Sequence, residues 1–216
     1  MQWETFAPLA QLDYITHAFT VRSADDTKAD TFQDLTLTSL GFDPAHHAAA
    51  QQVHGNGVAL VEAAVPGGVS GVDALATNTA NLPLVVRCAD CAAVFIVDRA
   101  KRAIALVHSG RTGTQRNIVG NAVATMQRNF GTHPPDCLAV ISPCIGPCHY
   151  EMDIWSGLEQ QLHEAGVGEI HNPRVCTACH LDRYFSYRAE KGKTGRMLAV
   201  LSLLAPSRHG TTIPPG

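Results

Sequence analysis

The stretch that most restricts how this chain can fold is "LVVRCADCAAVFIVDRAKRAIALVHSG", Leu84 to Gly110. Two apolar runs flank a short polar segment, the pattern of a β-hairpin. If Arg99-Ala100 forms a two-residue loop, Asp98 pairs with Lys101 and paired numbers sum to 199. Cys91 and His108 then stand directly opposite, at the open end and on one face, with Cβ atoms about 4.5–5.5 Å apart. A thiol and an imidazole so placed can share a metal, act as nucleophile and base, or fill a core as a small hydrophobe and a hydrogen-bonded ring.

Around this hairpin the chain alternates strands and helices. "YITHAFTV" (14–21), "VALVEAA" (58–64), "LPLVVR" (82–87), "CLAVISP" (137–143) and "MLAVLSLL" (197–204) read as strands. "TFQDLTLTSLGF" (31–42) has roughly helical spacing and stops at Gly41. The strongest helix pattern is 114–130, where Ile118, Ala122, Met126 and Phe130 fall four apart and Gly131 follows. A second helix is predicted over 153–166, with Asp153 as N-cap, Ile154, Leu158 and Leu162 as its apolar face, and Gly166 after its end. Segment 23–31 reads as a polar loop, and 205–216 as an irregular tail. Strands outnumber helices and a hairpin is present, so the expected fold is mixed α/β of the α+β class, one domain over 1–216.

Charge narrows the function classes. Sixteen Lys and Arg against 19 Asp and Glu give a net charge of −3, with no block of like sign. That argues against nucleic-acid or anionic-membrane binding. No run is long and apolar enough for a transmembrane helix, and the N-terminus shows no basic, then apolar, leader pattern, so the expected location is cytoplasmic. Seven cysteines is an odd and high number. Without a secretory signal, thiols serving metal or catalysis are favoured over a disulfide framework.

A third residue joins the pair. "QQVHGNGV" (51–58) sets His54 beside glycines, just before a strand. His54, Cys91 and His108 make a two-nitrogen, one-sulfur donor set that suits Zn²⁺ with a fourth position open, the catalytic rather than the structural pattern. Asp90 and Asp73 are the carboxylate candidates for moving a proton or supporting a ligand. "HSGRTGT" (108–114) reads as running into the N-terminus of the best helix, a setting that favours phosphate, and Arg111 there adds a bidentate fork. The remaining thiols leave another option open. Cys88/Cys91 and Cys176/Cys179 are two C-x-x-C pairs that could form a closed Cys₄ site. Against this, Cys88 and Cys91 point to opposite faces of a regular strand.

Six stretches together resemble the bacterial YfiH-type family, which has been called multicopper polyphenol oxidase, or laccase-like, and is regarded as purine nucleoside phosphorylases. They are "QVHGNGV", "VDALATN", "ADCAAVFIVD", "HSGRTGT", "ISPCIGPCHYEM" and "CTACHLDRYFSYRAEKGKTGR", in the family's order, within residues 14–204. The resemblance implies a layered α/β sandwich and zinc held by His54, Cys91 and His108. It implies phosphorolysis of purine nucleosides, methylthioadenosine included, with adenosine deamination at the same site. Arg22 and Arg188 become phosphate or substrate candidates through the family's motifs. The chain departs from the usual pattern at Arg111, normally Trp, and Thr112, normally Arg. Thr20-Val21-Arg22 lacks the family's glycines, a following loop is missing, and Ser142 replaces a Gly. Two other functions remain possible: a hydrolase with Cys91 as nucleophile and His108 as base, or a binding member of the family with impaired turnover.

Overall fold

The computed structural model describes residues 2–23 and 29–205. Residues 24–28 of the expected polar loop and 206–216 of the expected tail lie outside the described residues. The elements run β1 (Trp3–Glu4), α1 (Ala7–Ala10), β2 (Ile15–Thr20), α2 (Ala29–Ser39), β3 (Ala48–Ala49), β4 (Val58–Leu60), β5 (Ala74–Thr77), β6 (Leu84–Cys88), β7 (Ala92–Asp98) and β8 (Ala103–Ser109). Then follow α3 (Arg111–Gln115), α4 (Ile118–Phe130), β9 (Cys137–Ile141), α5 (Ile154–Glu164), β10 (Glu169–His171) and β11 (Met197–Leu203).

The strands form two mixed sheets, β1-β2-β11-β6-β3 and β10-β9-β7-β8-β5-β4. The alternation of each central strand assigns its side chains to layers. Ala93, Phe95 and Val97 of β7 and Ile104 and Leu106 of β8 meet Leu84, Val86 and Leu201 between the sheets. Val94, Ile96, Ala105 and Val107 turn the other way, onto Val119, Val123 and Met126 of α4 and Leu158 and Leu162 of α5. On the outer side of the first sheet, Val85, Leu198 and Val200 receive Phe32 and Leu37 of α2. The result is four layers, helix–sheet–sheet–helices, in a fold of the mixed α/β class. Strands buried on both faces need apolar residues at every position, hence the unbroken runs around the hairpin.

Local signals explain the helix ends. Asn117 caps α4 through its side chain, which accepts from Gly120 N–H, and Gly131 ends it at φ +67°. Asp153 caps α5, accepting from Ser156 N–H. The periodic segment 114–130 is therefore not one helix. Asn117, in the left-handed region at φ 54°, separates the short α3 from α4. "HSGRTGT" consequently leads into α3 and not into the N-terminus of the long helix.

Two further expectations are corrected. The run 84–98 is not one strand: it crosses at 89–91 from the first sheet, as β6, into the second, as β7. The hairpin loop has four residues, not two. The Asp98 carboxylate accepts from the N–H groups of Ala100 and Lys101, and Arg102 takes φ 51°. This Asx-type turn makes Asp98 pair with Ala103, so Ala93, not Cys91, stands opposite His108. A two-residue shift preserves side-chain parity. His108 keeps the inter-sheet side of β8, and Cys91 falls just before β7, two residues from Ala93, the partner of His108. Among the described residues, no helix is long and apolar enough to cross a membrane.

Candidate metal centre and its cleft

Where the inter-sheet layer runs out, the chain brings His54, Cys91 and His108 together, with their ligand atoms all within 4.8 Å of one another. His108 projects from the end of β8 and is buried. Cys91 sits at the sheet-switching segment just before β7. His54 stands on a surface loop, and its ring lies 5.0 Å from that of His108, edge to face.

Asp73 organises this group. Its carboxylate is fully buried and takes His108 Nδ1 at 2.9 Å. It also accepts from three successive backbone N–H groups of the His54 loop: Val53 at 3.2 Å, His54 at 2.9 Å and Gly55 at 2.7 Å. One carboxylate thus fixes the tautomer of one imidazole and the backbone that carries the other. With Nδ1 donating to Asp73, the Nε2 of His108 is left with its lone pair free, the form a metal needs. Burial pushes the Asp73 carboxyl up, but the hydrogen bonds from His108, Gly55 and Val53 outweigh it and hold it down to about 2. Burial lowers the His108 ring below its usual value, against the pull of Asp73.

The His54 loop is anchored on both flanks as well. The Gln52 side chain bonds the N–H and the carbonyl of Arg87, each at 2.7 Å, like a further rung on β6. Asn56 donates to Arg116 O, and Asn121 donates to Asn56 O. These ties hold His54 at φ 56°, where a non-glycine residue is uncommon.

The donor set fits a metal ion. A Cβ built on Gly110 would lie 2.6 Å from Cys91 Sγ and 3.9 Å from the His54 ring. The missing side chain is what leaves room at the centre of the three donors. Burial, reinforced by the charges of Asp90 and Asp73, pushes the Cys91 thiol up to about 12. A cation at this point would reverse that balance, since thiolate ligands are deprotonated on binding.

The group opens on a cleft of about 1700 Å³, whose walls include Arg111, Arg188 and Tyr150. The Arg111 guanidinium lies 5.2 Å from the Tyr150 ring centre and that of Arg188 lies 4.7 Å from it. Both pair with Glu151. Asp90 does not bond to any of the three donors. Its carboxylate accepts from Thr177 Oγ1 at 2.8 Å and from Arg188 N–H at 2.7 Å, so it fixes the wall that carries Arg188. Arg22 lines a separate hollow with Glu4 and Arg183, bonds the carbonyl of Tyr184 and pairs with Glu190.

A second group escaped the sequence reading in part. Cys148, His149, Cys176 and Cys179 also lie with their ligand atoms within 4.8 Å of one another. The pair Cys176/Cys179 joins Cys148 and His149, not Cys88 and Cys91 as a Cys₄ site would require. Cys88 is instead buried in the inter-sheet core. The adjacent Cys-His in "GPCHYEM" was the available signal.

Comparison with known proteins agrees with this architecture. The chain matches the family described as multi-copper polyphenol oxidoreductase laccase over residues 14–154 and 149–204. It is 33% identical to a protein of Streptomyces coelicolor named purine nucleoside phosphorylase, over 80% of this chain and 82% of that one. A Bacteroides thetaiotaomicron protein of the same name is 30% identical over 60% of each chain. The crystal structure of YlmD from Geobacillus stearothermophilus superposes with a TM-score of 0.85 at 24% identity, covering 93% of this chain and 94% of that one. With nearly its whole described length matched, the chain belongs to the multi-copper polyphenol oxidoreductase laccase family, that of the YfiH-type proteins.

Proposed function

We propose that the protein is a zinc-dependent purine nucleoside phosphorylase, which also cleaves methylthioadenosine and deaminates adenosine at the same site. The observation that carries this reading is the His54–Cys91–His108 group, backed by Asp73 and opening into the arginine-bearing cleft. The names of the relatives point the same way. The chemistry a bound zinc supplies is Lewis acidity, which polarises an oxygen or acidifies water.

The protein's own groups do the rest. Asp73 holds His108 in the ligating tautomer and keeps the His54 loop in register. Arg111 and Arg188, both paired with Glu151, offer two cations for phosphate. The Tyr150 ring lies under both guanidiniums and helps to hold them in the cleft wall. Asp90 positions Arg188 through its backbone.

Two alternatives fare less well. A cysteine hydrolase needs Cys91 as thiolate, yet burial and the Asp90 and Asp73 carboxylates push this thiol up to about 12 against the opposing pull of Arg196. A multicopper oxidase needs many histidines for its copper cluster, and this group holds two, His54 and His108. The deciding experiment incubates zinc-loaded protein with adenosine, inosine and methylthioadenosine, with and without phosphate, and follows free base and ammonia. Phosphate-dependent base release that is lost on chelation is expected. Absence of such release from all three nucleosides overturns the proposal.

A further inference from the structure

The Cys148–His149–Cys176–Cys179 group has a geometry of its own. Cys148 Sγ and Cys179 Sγ are 3.6 Å apart. His149 Nδ1 lies 3.3 Å from Cys148 Sγ, 3.5 Å from Cys179 Sγ and 3.8 Å from Cys176 Sγ. A tetrahedron built on zinc, with bonds of about 2.3 Å to sulfur and 2.05 Å to nitrogen, has sulfur–sulfur edges of about 3.8 Å and sulfur–nitrogen edges of about 3.6 Å. The four measured edges scatter around those two values. Four soft or borderline donors thus surround one point at the spacing of a filled coordination sphere.

The backbone supports the same reading. The turn 144–149 and the one-turn helix Thr177–Cys179 face each other across an isolated bridge between Cys144 and Cys176. Gly146 N–H donates to Cys176 Sγ at 3.3 Å, a bond suited to an anionic thiolate. His149 N–H closes onto Gly146 O, and Cys179 N–H onto Cys176 O, so each ligand pair rides on its own tight turn. Cys148, His149 and Cys179 are exposed, so apolar burial does not explain why three thiols and an imidazole gather there.

We propose that these four residues form a second metal centre, a closed Cys₃His site for zinc whose role is to clamp two loops together. One loop carries Tyr150 and Glu151, and the other runs on to Arg188, so the clamp sets the cleft wall where those three side chains meet. With four protein ligands, no position is left for substrate, the mark of a structural site. The proposal stands apart from the function of the first centre and does not depend on it.

The test is metal content of protein purified without added metal, for the wild type, for Cys91→Ala and for Cys148→Ser/Cys179→Ser. Two zinc per wild-type chain and one in each variant are expected, with one-thiolate and three-thiolate cobalt spectra, respectively, in the double variant and in Cys91→Ala. A metal-free Cys91→Ala protein, or a double variant that keeps the full wild-type content, overturns the proposal. If the double variant does not fold, the wild type decides by alkylation. Cys148 and Cys179 should resist iodoacetamide until a strong chelator is added. Immediate labelling of both, or a Cys148–Cys179 disulfide in freshly purified protein, overturns the second site while leaving the first untouched.

Discussion

At the mouth of the cleft, two imidazoles and one thiol meet with a buried carboxylate bonded behind them. At the loop cluster, three thiols and one imidazole meet with backbone N–H behind them, and among the described residues no carboxylate bonds to any of the four. The first group has three donors and faces an open space kept clear by Gly110. The second has four donors and is complete in itself. The two groups use the same kinds of side chain in different numbers and different surroundings. An open coordination position and a carboxylate that orients a ligand favour chemistry. A full sphere held by two turns favours stability.

The sharpest way to break this contrast is to remove a donor from the first group. His108→Ala should lower phosphorolysis by about 10³-fold, the loss of several kcal/mol of Lewis-acid stabilisation, while circular dichroism stays native. Steady-state assays of base release check this, and a drop of less than tenfold would move the chemistry elsewhere.

Asp73→Asn tests the carboxylate itself. Asn keeps the shape but loses the charge, and can no longer accept from the ring and three N–H groups at once, so metal affinity or kcat should fall about 10–100-fold. The same residue predicts an acid-stability window. Its folded pKa is depressed to about 2, so its stabilisation is present above the unfolded value near 4 and is lost as pH falls from about 4 towards 2. Some 2–3 kcal/mol of wild-type stability should disappear across that window. In Asp73→Asn the stability curve should be flatter there, as chemical denaturation at stepped pH will show.

A smaller effect is expected on the cleft wall. Arg111→Trp with Thr112→Arg should lower the KM for adenosine about tenfold, from aromatic stacking worth roughly 1 kcal/mol or slightly more. The exchange also frees Glu151 from one of its two partners, so the apparent affinity for phosphate should change in the same variant. Unchanged KM would mean that residue 111 does not face the base.

The least damage to chemistry should come from the second group. Cys148→Ser should lower the midpoint of thermal unfolding, yet cost less than about tenfold in kcat, or 1.4 kcal/mol, because it acts only through the wall. A loss as large as that of His108→Ala would erase the distinction between the two groups.

Much of this was legible in the chain. Apolar repeats at 3.6 residues, the Asp153 cap and the glycines at 131 and 166 located α4 and α5 closely at their C-terminal ends, because caps and periodicity are written in neighbouring residues. The long apolar strands were equally plain, and so were His54, Cys91 and His108, which stand out as polar donors amid small or aliphatic residues. Asn117 was not read as a break, since a left-handed cap inside a periodic run changes little in the pattern.

Other features were decided only when distant segments met. Nothing between Leu84 and Asp98 marks the crossing from one sheet to the other, because both halves are apolar and each sheet buries both faces. The hairpin register followed from the Asp98 side chain reaching back to Ala100 and Lys101, which a count of loop residues does not reveal. Asp73 was visible as one carboxylate among many, and it became the support of two histidines only through contacts 35 and 19 residues away in sequence. Cys148 and Cys179 lie 31 residues apart, on turns whose meeting depends on how β9 and the segment after β10 are brought together. Residue type and local period are properties of the sequence. Which donors share a point in space is set by long-range closure of the sheets, to which local pattern is blind.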